Sequence, residues 1–371
     1  MTTTDERKVY LITSSKSIKN FLYRNIDLCK NLKKKNKNYS IININQSKET
    51  NKKYKIINVQ SYNQLINIFK KDKKITVINF ISKNFNFFYY FRLLKKYDVK
   101  LIEIDNIGDI QSSKFFYNFF SYKIYLNFIL KIINKFLINF IFKIDYLKKV
   151  DILFYCQKKK YFNSNCYRKF FLINSKSYDS LIKKTNNHYD KYIVFLDSCL
   201  NHVDRVYYEG CLSEINRKNY YRSLSIALKE FQLFYKKKVI ILLHPDSNFF
   251  EIKKKLLEFK IVQFDTQKYI LQSSLVLFHE SSSVLDAVFI GKKIINLQSS
   301  FMGRYFDYRN KLYSEKICIP SLNIDFINQE KISVINKRLK NNNYNNYIKS
   351  NLFCSANKKG IDQIINQIQK I

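Results

Sequence analysis

Between Leu275 and Leu297 the chain reads Leu-Val-Leu-Phe-His-Glu-Ser-Ser-Ser-Val-Leu-Asp-Ala-Val-Phe-Ile-Gly-Lys-Lys-Ile-Ile-Asn-Leu. Few folds accommodate that order. Leu275–Phe278 is an apolar run of strand length. Ser281, Ser282 and Ser283 stand where a helix must begin, and Ser283-Val-Leu-Asp286 has the spacing of a capping box. Val284, Leu285, Val288 and Phe289 recur at helical spacing. Gly291 is placed to end the helix in a left-handed conformation, and Ile294–Leu297 is the next strand. Strand, helix, strand in so few residues predicts a parallel α/β sheet. The helix start points its N–H groups and three hydroxyls at one spot beyond a strand end. Two readings of that spot stand side by side: a helix cap and nothing more, or an anion site suited to a phosphate.

Composition narrows the partners. The 371 residues suffice for two domains, and 32 Phe and 29 Tyr supply large cores. A formal charge of +37 points to anionic partners. Only ten of the 66 basic residues are Arg, however, and Lys, Asn and Ile are abundant together. That is the signature of A/T-rich codons, and a nucleic-acid surface leans more on Arg. No nucleic-acid partner is predicted. Under the same bias the five Gly and two Pro that remain, among them Gly108, Gly291, Gly303 and Pro245, mark positions where backbone geometry is demanding. Seven cysteines lie scattered without a Cys-x-x-Cys, four His lack zinc spacing, and no apolar run of signal-peptide type follows the first residues. These observations predict reduced thiols and a cytoplasmic protein; with no Asp-x-Asp in the chain, no obligatory metal is expected, and no cofactor is.

Strand and helix patterns alternate along the chain. Lys8–Thr13, Ser40–Ile44, Ile75–Phe80, Val99–Ile104, Asp151–Tyr155 and Phe170–Ile173 are predicted strands of a first domain over 1–184. A polar stretch, 183–190, is the candidate linker. Tyr192–Leu196, Val239–Leu243, Ile261–Phe264 and the opening unit belong to a second domain over 191–357, with helices predicted at Arg217–Tyr235, Phe249–Phe259 and Thr266–Gln272, the last capped by Thr266. A terminal helix occupies 358–371. Ligands of such sheets sit beyond the carboxyl ends of strands. The loop Asp105-Asn-Ile-Gly108-Asp109 is therefore either a cleft loop or a solvated turn.

An inserted segment, 115–147, is rich in Phe, Ile, Leu and Tyr, with Lys or Asn recurring mostly four apart. The cations argue against a spanning helix. An amphipathic helix lying on an anionic membrane fits the pattern, and so does a helix packed between domains with its polar stripe in water.

Two strand ends matter together. His244-Pro245-Asp246-Ser247 follows the strand Val239–Leu243, and His279-Glu-Ser-Ser-Ser283 follows Leu275–Phe278. In a parallel sheet both loops open on one edge. With Tyr192–Asp197, these residues resemble bacterial surface-polysaccharide glycosyltransferases of GT-B type. The paired His-Pro and Ser motifs are similar to those of sialyl-, polysialyl- and Kdo-transferases, and the Ser motif also to that of CDP-glycerol glycerophosphotransferases. The likeness covers about Lys191–Pro320 and is fainter in the first domain. It implies two Rossmann-like domains, an acceptor domain followed by a nucleotide-donor domain. It also implies that His244, Pro245, Ser281, Ser282 and Ser283 hold the nucleotide phosphate. Gly303 and Arg304, beyond the next strand end, join the candidate binding residues. Glu280 departs from the pattern, because a carboxylate beside a phosphate is unfavourable unless it points away or pairs with Lys or Arg.

The expected reaction is an inverting, metal-independent transfer from a nucleotide-activated sugar, CMP-linked by the resemblance, to a glycan or lipid-linked acceptor of capsule or lipooligosaccharide. His244 would stabilise the leaving group, and Asp197 or Asp105 would take the acceptor proton. The enzyme would sit at the cytoplasmic face of the inner membrane. Two alternatives stand beside it: transfer of an alditol phosphate from a CDP-alditol, and a non-enzymatic basic protein that binds membrane or RNA.

Overall fold

The computed structural model describes residues 7–370 apart from 16, 36–37, 46–49, 73, 82, 84, 106–132, 135, 139, 145, 159–163, 182–189, 201–214, 340–343 and 356–357. The described residues fall into two compact units, one formed by residues up to 105, 133–176 and 353–370, the other by 177–352.

The first unit holds a seven-stranded sheet. Its strands are β1 (Lys8–Thr13), β2 (Tyr39–Asn43), β3 (Ile56–Asn58), β4 (Ile75–Asn79), β5 (Lys100–Asp105), β6 (Ile152–Tyr155) and β7 (Phe170–Leu172), in the order β3-β2-β1-β4-β5-β6-β7. Every pairing is parallel. The central strands are near-continuous apolar runs because helices cover both faces; all five residues of β4 are buried. Helix α1 (Ile18–Lys34) begins where the Ser17 hydroxyl accepts the Asn20 N–H, and it buries Phe21, Leu22, Leu28 and Leu32. Helices α2 (Tyr62–Lys71) and α3 (Phe88–Lys96) pack on the other face with Leu65, Phe69, Phe91 and Leu94.

The chain returns to this unit at its end. The helix Gly360–Gln369 lays Ile364, Ile365 and Ile368 into the core beside α1. Burying each is worth about 2 kcal/mol as an upper estimate. Buried Asn174 fixes the approach: its amide nitrogen donates to the carbonyls of Ser355 and Lys358, and its oxygen accepts the Ser355 N–H at 2.8 Å.

The second unit holds six parallel strands: β8 (Tyr192–Leu196), β9 (Val239–Leu243), β10 (Lys260–Gln263), β11 (Ser273–Phe278), β12 (Lys293–Gln298) and β13 (Ser321–Asn323), in the order β10-β9-β8-β11-β12-β13. Chain order reverses between β8 and β11. At such a switch point neighbouring connections diverge to opposite faces and leave a crevice at the carboxyl edge. The helix Arg217–Tyr235 covers one face through Tyr220, Leu224, Ala227, Leu228 and Phe231, and Asn216 caps it by accepting the Asn219 N–H.

The long apolar patterns form their expected elements, with bounds that move by a residue or a few. Differences concentrate at sheet edges and helix starts. β3 and β13 are three-residue edge strands that lack an apolar run. The helices Arg304–Ile317 and Gln329–Arg338 also exceed the sequence expectation. Thr266 is not a cap: it is the first helical residue, and Asp265 precedes it without a side-chain cap bond. The capping box at Ser283 is not formed either, since Ser283 makes no cap bond and Asp286 is buried. Asp286 instead accepts the Gln267 amide at 3.3 Å. The Gly291 stop holds. Gly291 has φ 66°. Its N–H bonds to Val288 O, and the Lys292 N–H to Ala287 O, at 3.2 and 3.0 Å, closing the helix in a Schellman arrangement. The loop after Asp105, the first part of the 115–147 segment and most of the 183–190 linker lie outside the described residues.

Candidate functional site

All strands of the second sheet run parallel, so β8, β9, β10, β11 and β12 present their carboxyl ends on one edge. Asp197, His244, Ser281–Ser283 and Gly303 follow those ends, and Gln263 is the last residue of β10.

The His-Pro turn is held from both sides. Pro245 favours the turn, and the Ser247 N–H closes it on His244 O at 2.9 Å. From β10, the Gln263 amide nitrogen reaches the carbonyls of His244, Pro245 and Ser247 at 3.1, 3.1 and 3.2 Å. From β8, buried Asp197 accepts the Ser247 hydroxyl at 2.6 Å. His244 Nδ1 accepts the Asp246 N–H at 3.2 Å. That bond places the proton of the neutral imidazole on Nε2. The ring is 31% exposed, so a partly desolvated donor is fixed at the edge of the crevice. Asp197 also raises the Tyr221 hydroxyl above its usual range, after the larger effect of burial.

His279 is a core residue. Its Nδ1–H donates to Leu297 O at 2.5 Å, and its ring sits against Phe195 and Tyr220. It ties the ends of β11 and β12 together beneath the serines. Glu280 turns to the helix behind: Arg309 Nε donates to Glu280 Oε1 at 2.8 Å. The carboxylate beside the serine turn is thus charge-compensated.

Ser281, Ser282 and Ser283 differ from the caps elsewhere. Their carbonyls accept the N–H groups of Val284, Leu285 and Asp286 at 3.1–3.2 Å. The helix that follows is only Val284–Phe289, so its dipole is small. Among the described residues, no side chain or backbone group bonds the three hydroxyls. Ser282 is exposed and the flanking serines are half-buried. Three hydroxyls left to solvent at a strand end are available to an anion.

Beyond β12, Ser299 and Ser300 are clamped by Asp325: both hydroxyls and the Ser300 N–H donate to its carboxylate at 2.6–2.8 Å. Gly303 follows with φ 82°, a value that disfavours any side chain, and opens the helix at Arg304. Two non-glycine residues share this strain at the edge, Cys199 after β8 (φ 52°) and Phe264 after β10 (φ 80°). Ser198 Oγ, buried just past the end of β8, has no hydrogen-bond partner among the described residues.

The structure therefore brings His244, Pro245, Asp197, Ser281–Ser283, Gly303 and Arg304 to one edge. Asp105 belongs to the first unit, as the last residue of β5. Two residues before it on the same face is Glu103, which the sequence reading missed. Glu103 accepts the Asn79 amide at 2.9 Å and pairs with Lys83, which also donates to the Tyr167 hydroxyl at 3.0 Å. Gln263 was missed as well, and Arg309, which the sequence places beyond the same strand end as Gly303 and Arg304, could not be assigned from sequence as the partner of Glu280. The readable signal for Gln263 was a polar residue closing a strand beside the His-Pro turn.

No family model and no curated protein matches the chain by sequence. Solved structures match it along nearly its whole length. The H444N variant of the wall teichoic acid polymerase TagF superposes with TM-score 0.54 at 11% identity, over 99% of this chain and 89% of that one. The fold is GT-B. MurG of Acinetobacter baumannii shares it with TM-score 0.51 at 9% identity, over 98% of this chain and 100% of that one. CalG4, the calicheamicin glycosyltransferase, does so with TM-score 0.51 at 8% identity, over 98% of each chain. Likeness at such identities is one of fold, and activity has to be argued from the site.

Proposed function

We propose that the protein is a GT-B glycosyltransferase that moves a sugar from a nucleotide-activated donor, CMP-linked by motif resemblance, to a surface glycan or lipid-linked acceptor such as capsule or lipooligosaccharide. One observation carries the reading: three serine hydroxyls, unbonded among the described residues, open on the same sheet edge as an immobilised His-Pro turn. One strand separates β9 from β11, so the two loops are about 10 Å apart across the sheet. A single nucleotide can bridge that span. Ser281–Ser283 would receive the phosphate, with Gly303 and Arg304 bordering it. His244 would donate Nε2–H to the departing phosphate oxygen, where charge develops. The acceptor proton is assigned to Asp197 or to Asp105 of the acceptor unit, acting as base in an inverting displacement. No metal step is needed for these roles. The positive surface would keep the enzyme peripheral on the cytoplasmic side of the inner membrane, although among the described residues no helix is long and apolar enough to cross it.

A second reading, transfer of an alditol phosphate from a CDP-alditol, draws on one neighbour: a TagF H444N crystal soaked with CDPG has TM-score 0.50 to this chain. Phosphate retained in the product supports that reading over sugar transfer.

The test is a thermal-shift screen against CMP, CDP, UDP and GDP, repeated on His244→Ala and on Ser281→Ala/Ser282→Ala. Stabilisation by one nucleotide that both variants lose is the expected result. Unchanged binding in both would remove the site assignment.

A further inference from the structure

The described helical residues 133–134, 136–138 and 140–143 of the first unit are apolar on two sides. Ile138 and Phe142 point into the core, 5% and 0% exposed. On the opposite side Ile133, Phe136, Leu137, Phe140 and Ile144 are 42–70% exposed. Their three- and four-residue spacing puts them in one stripe, and the Ile144 N–H, bonded to Phe140 O at 3.0 Å, carries the last turn on. Scattered exposed apolar residues are ordinary, but a contiguous stripe marks a surface that something covers.

The surroundings of the stripe say what covers it. Tyr146, 42% exposed, stacks on Phe88 of α3 with ring centroids 5.8 Å apart. The Arg92 guanidinium lies over the Tyr146 ring at 5.2 Å. Tyr89, Arg92 and Lys96 form an exposed row along α3, and Lys143 is exposed beside the stripe. Apolar groups, then tyrosines, then cations is the order of environments from acyl chains to anionic headgroups at a bilayer interface. A symmetric contact with a second copy would bring these cations against their own counterparts on a chain of net charge +37.

We propose that this stripe is a membrane-docking surface, with Ile133, Phe136, Leu137, Phe140 and Ile144 inserted among acyl chains and Arg92, Lys96 and Lys143 on anionic headgroups. The proposal rests on the membrane-surface part of the function proposed above and names the surface that serves it.

The experiment is flotation of the full chain with vesicles of phosphatidylcholine alone or mixed with phosphatidylglycerol. The parent should float with the mixed vesicles and be released by salt. Phe136→Asp/Phe140→Asp should lower the bound fraction about tenfold or more, because two large apolar groups no longer insert. Arg92→Glu/Lys96→Glu should lose binding to the mixed vesicles to a similar degree. Both exposed pairs leave Ile138 and Phe142 in place, so an unchanged thermal midpoint confirms folding. Equal flotation of parent and variants overturns the proposal. So does a parent dimer that the Asp variants dissolve, since a second copy would then be the occupant. Nucleotide thermal shifts on the same variants separate the two ideas: vesicle binding without any nucleotide response leaves this surface standing and removes the donor reading.

Discussion

Arg309 holds Glu280 through a single carboxylate oxygen: Nε and a terminal guanidinium nitrogen both lie 2.8 Å from Oε1, with the two side chains only 12% and 10% exposed. The pair sits directly behind the serine turn. Its arrangement is what would let an acidic residue occupy position 280 beside the proposed anion site, because the carboxylate is neutralised by the neighbouring helix. Arg309 also lies over the Tyr313 ring at 5.6 Å, which fixes the guanidinium from its other side.

Removing Arg309 should therefore do two things. Arg309→Met leaves a mostly buried carboxylate without its cation, at a cost of about 3 kcal/mol in urea unfolding. If the serine turn holds a phosphate as proposed, the change also exposes that phosphate to the carboxylate, so nucleotide affinity should fall more than tenfold. Adding Glu280→Gln to the same chain should recover most of the affinity. A single Arg309→Met variant that binds nucleotide like the parent would show that Glu280 does not face the anion.

The serine hydroxyls separate capping from binding. As helix caps, each would lose about 1 kcal/mol of stability on replacement by Ala. As unbonded groups reserved for a ligand they should cost less than about 0.5 kcal/mol. Ser281→Ala/Ser282→Ala should thus leave the urea midpoint unchanged and weaken nucleotide binding about tenfold or more, since hydrogen bonds to a charged phosphate are worth about 1.5–3 kcal/mol. Loss of stability with binding intact would return the cluster to a structural role.

Gln263 tests whether the His-Pro turn must be held. It touches three carbonyls of the turn and no reacting atom. Gln263→Leu should cost about 1–3 kcal/mol by leaving those acceptors unsatisfied and should lower donor affinity while His244 is still present. Gln263→Glu cannot donate and should fail similarly, whereas His244→Ala should lose affinity with little change in stability.

Two buried thiols give the protein an alkaline limit. Burial pushes Cys29 up to about 12 and Cys166 up to about 11, from a usual value of 9.0. The folded chain thus keeps protons that the unfolded chain releases above pH 9, so this stabilisation is full below pH 9 and is lost as pH rises through 11–12. The thermal midpoint should fall across that window. Mass spectrometry after alkylation at pH 8 should find exposed Cys318 modified and Cys29 and Cys166 protected until urea unfolds the chain.

How much of this was legible depended on what each residue was asked to do. β1, β4, β8, β9 and β11 could be read because a strand covered on both faces must be apolar throughout. β3 and β13 could not, because three residues at an edge bury too little to leave a pattern. Ser281–Ser283 and His244-Pro245 stood out as polar breaks after such runs. The capping box at Ser283 had the right spacing, yet Asp286 turned inward to Gln267 and the Ser283 hydroxyl made no cap bond. Spacing in sequence fixes which residues share a turn; it does not fix which way a side chain leaves it.

The sequence by itself determined the parallel α/β class, the strand ends that carry polar loops, and the left-handed stop at Gly291, because periodicity and backbone sterics are local properties. Only the tertiary structure decided that Gln263 and Asp197 immobilise the His-Pro turn, that Arg309 neutralises Glu280, and that His279 is core while the three serines after it remain open. Those contacts join residues 16 to 50 positions apart, and at such separations the partner is chosen by sheet order and helix packing rather than by any neighbouring residue.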